Sequence, residues 1–352
     1  MPNNILKEFA RQLTIEYARQ RIALKEQNLK EDVNAYRGPE LFPIDIVNEL
    51  SFDYWKDLHL LPVIAAVQAF GAEAQIASRD GHERVAGEIP TIKRKINLAG
   101  RALIALRREG LGDIDFVRDT LYNDMDNMLD ACLARVEKMR MDALTTGKLV
   151  LEENGVKMTV DYKVPGDHKQ TLSGTSKWDN YEESNPIEDI ARWANKVADT
   201  TGIRPTRALT SSAILDALLM NKNVRQMFYG DLGGSRLISL DDFNAVLRTK
   251  RLPTIDTYDV RARVQKENGD YETFSFFDSK KFVLMPEGKL GDTLVGPTEE
   301  AMLDTEVDAK EMAGAYAAVY QEMEPPMIWT KAAMTAIPTF PMADSVFQAT
   351  VL

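Results

Sequence analysis

The chain has 352 residues, 44% of them hydrophobic, which is enough for a large core in two subdomains. A formal net charge of −11 excludes a protein that coats DNA through phosphate contacts, and no apolar run approaches the ~18 residues of a membrane span. Cys132 is the only cysteine, so no intrachain disulfide forms and the chain reads as one that folds inside a cell.

Residues 3–31 predict a helix, with Ile5, Phe9, Leu13 and Tyr17 at spacing four and charged residues on the other faces. Lys7, Glu8 and Arg11 interrupt its apolar pattern, so it is no secretory signal. A stripe this narrow gains little alone and docks on a partner or another subunit. Residues 32–50, with Gly38-Pro39 and Pro43, read as an extended arm. Residues 60–98 read as a long two-stranded ribbon, with a polar turn from Ser78 to Arg84. Such a ribbon is marginally stable alone. No third strand is evident beside it, so it is expected to pack on a neighbouring molecule. A short helix over 100–110 ends before Gly110 and Gly112.

Asp113 to Tyr162 is the stretch on which the rest is organised. Phe116, Leu121, Met125, Met128, Leu129, Cys132, Val136, Met139 and Leu144 form one stripe on a helix that Gly147 ends. That helix is about thirty residues, or roughly 45 Å, and braces something wide. Cys132 lies on the stripe and reads as a small buried hydrophobe. Asn154-Gly155 then turns a hairpin, with Val156, Met158, Val160 and Tyr162 on the buried face of its second strand.

Pro165 to Tyr181 reads as loop. Asn185-Pro186-Ile187-Glu188 opens a helix with an apolar face of Ile187, Ile190, Ala191, Ala194, Val197 and Ala198, ended by Gly202. A strand over 206–209, helices at Ile214–Leu219 and after Ser239, a hairpin at Asn268-Gly269 and a strand at Phe282–Met285 follow. Met312–Met323 is expected to be helical, and Ser345–Leu352 to be a strand joining a sheet.

Little chemistry is on offer. His59, His82 and His168 lie in different segments without metal-ligand spacing, and no metal or cofactor is expected. Gly230–Ser235 is glycine-rich but lacks a lysine, so it reads as a mobile loop. Asp124, Asp126 and Asp130 fall on the outer face of the long helix. The four tryptophans are scattered and suggest no stacking platform. No catalytic residue is nominated.

Several stretches carry a resemblance. They are Ala72–Gly81, Gly87-Glu88-Ile89-Pro90-Thr91-Ile92-Lys93, Ala143–Lys148, Leu284-Met285-Pro286 and Gly296–Ala301. In that order, over roughly residues 45–352, the chain resembles the major capsid proteins of lambda-like tailed phages, the capsid protein E family. The resemblance implies an α+β, Hong Kong 97-type fold. Residues 1–50 would be an N-terminal arm with a helix and 51–100 the extended loop. Residues 101–175 and 325–352 would form a peripheral domain with spine helix 113–146, joined by hairpin 149–162 and the C-terminal strand. Residues 176–324 would form an axial domain. It implies a structural protein that assembles as pentamers and hexamers into an icosahedral head shell. Assembly would take place in the host cytoplasm, with scaffold, portal and decoration proteins as partners. The shell would enclose DNA without sequence-specific binding, and no membrane is involved. Some relatives cross-link through a loop lysine; Lys93 and Lys95 lie there, but no activating acid or asparagine partner is visible.

Inter-subunit contacts are expected at the loop tip, Arg79, Asp80, Gly81, Glu83 and Arg84, and at Phe9, Leu13 and Tyr17 of the arm. Met125, Leu129, Cys132 and Val136 are expected to pack the spine against a sheet containing Val156, Val160 and the terminal strand. An encapsulin-type compartment holding cargo enzymes, and a stand-alone enzyme, are the alternatives. Residues 1–30 carry +3 and residues 299–324 carry −7. These are two solvated helix faces or a basic arm meeting an acidic surface of a neighbour. The arm alternatively binds a scaffold, and the shell's inner wall is expected to be acidic or neutral.

Overall fold

The computed structural model describes residues 35–57, 61, 82–99, 113–230, 238–266, 268–303, 314–324 and 326–352. The helices expected over 3–31 and 100–110, the ribbon's outgoing arm and its tip through Gly81, and most of the Gly230–Ser235 loop lie outside the described residues.

In chain order, α1 (Gly38–Leu41), β1 (Ile44–Ile46), β2 (Ser51–Asp57), β3 (His82–Glu88) and β4 (Thr91–Ala99) precede the long α2 (Asp113–Thr146). The hairpin β5 (Lys148–Glu153) and β6 (Val156–Asp161) follows, then β7 (Lys169–Thr171), α3 (Pro186–Thr201) and β8 (Arg207–Thr210). Next come α4 (Ser212–Met220), α5 (Lys222–Tyr229), α6 (Leu240–Thr249) and β9 (Thr254–Thr257). A second hairpin, β10 (Arg261–Gln265) and β11 (Tyr271–Ser275), leads to β12 (Lys281–Met285), β13 (Thr293–Gly296) and α7 (Glu299–Leu303). The chain ends with β14 (Ala315–Met323), β15 (Pro326–Pro338) and β16 (Phe347–Thr350). These elements form two compact units.

The first unit is drawn from Met1–Phe52, Gly87–Arg140 and Asp292–Thr339. Its sheet runs β1-β13-β15-β14, with β4 on the opposite edge of β15. β1 and β13 are parallel, and every other pair is antiparallel. The stripe residues Met125, Leu129, Cys132 and Val136 of α2 are all buried. Burial pushes the Cys132 thiol up to about 12, against an opposing pull from Arg94 of β4, so this cysteine is an inert part of the core. Nearer Arg140, polar groups do the fastening. Glu137 and Arg140 are fully buried. The Gly38 N–H donates to Glu137 Oε1 at 3.0 Å, and Arg140 Nε donates to Thr293 Oγ1 at 2.8 Å. Thr293 Oγ1 in turn donates to Phe42 O at 2.8 Å. One cluster thus ties α1, α2 and β13 together, and residues 36–46 are pinned rather than a free extended arm.

The second unit is drawn from Asp53–Ala86, Met141–Gly291 and Phe340–Leu352. Its mixed sheet runs β7-β16-β12-β8-β9. Trp178 and Trp193 stack at 5.8 Å between ring centres, Trp193 stacks on Phe347 at 5.3 Å, and Phe282 meets Trp178 edge-on at 5.0 Å. The two tryptophans are not scattered, as the sequence suggested, but form the aromatic centre of this core. Helix ends follow local chemistry. Ser211 and Ser239 accept from Ile214 N and Asp242 N, and Asn221 accepts from Val224 N. Asn185, expected to cap α3, makes no side-chain cap bond, while Pro186 takes the first helical position.

Four expectations are corrected. Met312–Met323 is not helical: Ala315–Met323 is β14, paired with β15 over nine residues. Ala, Gln and Glu favour helix locally, but Tyr316, Val319 and Tyr320 suit a pleated surface, and a waiting edge decides. Residues 91–99 are not half of a free ribbon, because β4 pairs with β15 throughout. Glu83 and Arg84 lie on a strand, not on a turn. Val156, expected on the buried face of its hairpin, is exposed, and the terminal strand β16 pairs with β12 and β7 in the second unit.

A methyl group at Gly38 would collide with the buried side chains of Glu137 and Arg140. Gly38→Ala should therefore cost about 1–3 kcal/mol in urea unfolding. Leu129→Ala, which empties a packed position, should cost about 2–5 kcal/mol. Either variant with a wild-type midpoint would show that its position is loose.

Candidate inter-subunit surface

β2 and β3 form a sheet of only two strands among the described residues. Phe52, Lys56 and Val85 are buried. Lys56 Nζ meets Asp344 Oδ1 at 2.6 Å and donates to Lys163 O at 2.6 Å, which satisfies an otherwise costly charge. Along β2, Asp53 and Trp55 alternate with the buried positions and are exposed, Trp55 to 63%. Arg84 Nη2 reaches Asp53 Oδ2 at 2.7 Å, with the side chains 57% and 54% exposed, so the pair adds at most ~1 kcal/mol to folding. Glu83 Oε1 lies 3.5 Å from Lys163 Nζ. Of the expected tip residues, Glu83 and Arg84 are thus engaged within the chain, while Arg79, Asp80 and Gly81 lie outside the described residues, as do Phe9, Leu13 and Tyr17.

Sequence reading missed Trp55, and it missed the outward face of the first unit's sheet. Lys93 Nζ lies 2.6 Å from Glu299 Oε2 and 2.9 Å from Glu300 Oε1, and Lys331 Nζ lies 2.6 Å from Glu300 Oε1. Two strands are thereby fastened to α7. Burial alone would raise the Glu300 pKa, but hydrogen bonds from Lys331 and Lys93 outweigh it and the net shift is down. For Lys93, burial lowers the pKa, and the two carboxylates more than reverse that. A period of two in Tyr316, Ala318 and Tyr320 was the signal available for this face.

Chemistry of other kinds is sparse. Among the described residues no group of three His, Cys, Asp or Glu could hold a metal ion. His168 is buried, its Nε2 is 3.3 Å from Thr200 Oγ1, and burial lowers its pKa.

The sequence matches the family model of phage major capsid protein E over residues 58–351. The chain belongs to the phage major capsid protein E family. A protein assigned as the capsid protein of a prophage in Escherichia coli CFT073 has the same fold, with TM-score 0.58 and 15% identity over 94% of this chain and 98% of that one. A phage-related protein of Bordetella bronchiseptica RB50 gives TM-score 0.52 and 12% identity, over 93% of this chain and 94% of that one. No curated protein sequence matches. The fold is the Hong Kong 97-type capsid fold, and the protein is a structural, shell-forming component of a phage capsid. The family favours this over a cargo-enclosing compartment, and family and fold point away from an enzyme.

The Glu300 cluster yields a pH prediction. Its folded pKa lies below the ordinary 4.5, so its stabilisation is full above about pH 4.5 and lost as pH falls through the folded value. Wild-type protein should therefore lose more urea stability between pH 6 and pH 3 than Glu300→Gln, which starts lower at pH 6. Parallel pH profiles would remove the cluster from the stability account.

Proposed function

We propose that the chain assembles as pentamers and hexamers into the icosahedral head shell of a tailed phage, in the host cytoplasm. The shell encloses DNA without reading its sequence. Scaffold and portal proteins are its partners during assembly, and a decoration protein binds the finished shell. The observation that supports this reading is the β2-β3 ribbon: two strands with an exposed tryptophan and a solvent-facing ion pair. Isolated pairs of strands are marginal in water, and exposed tryptophan is characteristic of the anchors of protein interfaces. The stretch between its strands, residues 58–81, contains Arg79, Asp80 and Gly81, which the resemblance implies as inter-subunit contacts. A net charge of −11 suits an inner wall along which packaged DNA slides without counterion-releasing contacts.

The test is deletion. Removing residues 63–80 and bridging the gap with glycines leaves β2, β3 and β4 intact. The variant should keep the wild-type far-UV circular dichroism and unfolding transition but form no closed shells by light scattering and electron microscopy. Normal shells from the deletion would refute the loop's role in assembly.

A further inference from the structure

The tripeptide Glu-Asn-Gly occurs at 153–155 and again at 267–269, and each copy turns a hairpin. An asparagine followed by glycine can lose its side-chain amide without an enzyme, because no Cβ on the glycine keeps its backbone nitrogen away from the asparagine Cγ. The local chemistry of the two sites is the same, so any difference between them comes from the fold. Both asparagines and both glycines are exposed, and each hairpin is a sheet of two strands among the described residues. At Asn268 the reacting groups are tied. Its Nδ2 donates to Asp270 Oδ2 at 2.8 Å, and its Oδ1 accepts from Asp270 N at 3.1 Å. The Gly269 N–H, the group that would attack, donates to Lys266 O at 2.9 Å. Lys266 Nζ also lies 3.0 Å from Glu272 Oε2, which clasps the strands beside the turn. At Asn154 these ties are missing. Among the described residues no hydrogen bond holds the Asn154 side chain or the Gly155 N–H, and a Cβ built on Gly155 would meet nothing within 4 Å. The ion pair of this hairpin, Lys148 with Asp161 at 3.0 Å, sits at its root, far from the turn.

We propose that Asn154 is a site of spontaneous deamidation that the fold leaves open, while the fold protects the same chemistry at Asn268. The Gly155 nitrogen gives up its proton to hydroxide and attacks Asn154 Cγ. The Cγ–Nδ2 bond breaks, ammonia leaves, and a five-membered imide ring closes between the two residues. Water then opens the ring at either carbonyl. One product is aspartate, and the other is isoaspartate, whose backbone runs through the former side chain. The sum is asparagine plus water giving aspartate plus ammonia, and nothing is oxidised or reduced. Attack needs the Asn154 side chain to swing over the Gly155 nitrogen, away from the left-handed turn with φ 48° and 83° at these residues. An exposed, unclasped turn reaches that arrangement by local fraying, at a small fraction of the cost of global unfolding. Two consequences follow for the hairpin. Each conversion adds a negative charge beside Glu152 and Glu153. The isoaspartate form also lengthens the backbone, which a two-residue turn cannot absorb while Glu153 stays paired with Val156. The modification is a property of the chain itself and stands apart from the shell-forming reading.

The test is a time course on the full chain, held folded in neutral and in mildly alkaline buffer. Samples are digested with trypsin in mildly acidic buffer, where the ring forms slowly, and read by mass spectrometry. Tryptic peptides 149–157 and 267–280 carry the two sites. In the folded chain the first peptide should show the amide-to-acid mass change roughly tenfold faster than the second, because hydrogen bonds must break first at Asn268. The change should be faster in the alkaline buffer, since the attacking nitrogen must lose its proton. In urea, where no fold protects either site, the two rates should converge. Equal rates in the folded chain, a faster change at Asn268, or conversion of Asn154 only in urea would each overturn the proposal. Asp270→Ala, with unchanged circular dichroism, removes the carboxylate that holds Asn268 Nδ2. It should speed conversion of peptide 267–280 several-fold and leave peptide 149–157 as it was. An unchanged rate at Asn268 overturns the protection assigned to it.

Discussion

One strand paired along both edges holds the first unit together. β15 pairs with β14 from Pro326 to Met334, with β4 from Met327 to Thr335, and with β13 from Thr335 to Pro338. Without it, β4 and β14 would be two lone strands from distant parts of the chain, each with unsatisfied backbone groups on both sides. A thirteen-residue strand at the centre of a sheet tolerates its prolines because both stand at its ends, Pro326 and Pro338, where a missing N–H costs least.

The long helix poses the opposite problem at its C-terminus. Its last turn contains no basic residue to meet the negative end of its dipole. The donors come instead from the sheet of the unit that holds this last turn. Lys169 Nζ reaches Thr146 O at 3.1 Å and Gln348 Nε2 reaches Leu144 O at 2.7 Å, while Gly147, at φ 72°, donates to Ala143 O. Burial lowers the pKa of Lys169, and Lys148, Lys281 and Lys56 add to that, while Asp161 opposes it. Residues 200 positions apart are in this way joined at a helix end that local sequence left open.

What was legible in the sequence was whatever depends on neighbours along the chain. The limits of α2, the Asn154-Gly155 and Asn268-Gly269 turns, and the serine caps all rest on residues within a few positions of one another. The edges of the sheets were not legible. β14 has the composition of a helix and becomes a strand only because β15 offers nine backbone partners. β15 itself was obscured by its flanking prolines. The candidate surface divides the same way. The ribbon expected over 60–98 gave way to β2 pairing with β3 and β4 pairing with β15, and Trp55, and the row of Asn97, Trp329 and Tyr320, depend on registers set between strands far apart in sequence.

The charge pattern also changes meaning once the fold is known. Residues 299–324 read as one acidic block, available as a whole to a basic partner. Among its described residues, Glu299 and Glu300 are held within the chain by Lys93 and Lys331, and Glu322 accepts from Trp329, while its other acids at 304–311 lie outside the described residues. Each partly exposed pair contributes little to folding, on the order of 1 kcal/mol or less. Together they remove charge from a surface where it would hinder close approach. A shell of many copies needs contacts that are individually weak, so that misplaced subunits can leave, and numerous, so that the closed form persists. Self-neutralised aromatic surfaces meet both needs better than strong ion pairs between chains, which would hold errors as firmly as correct contacts and would weaken with every rise in salt.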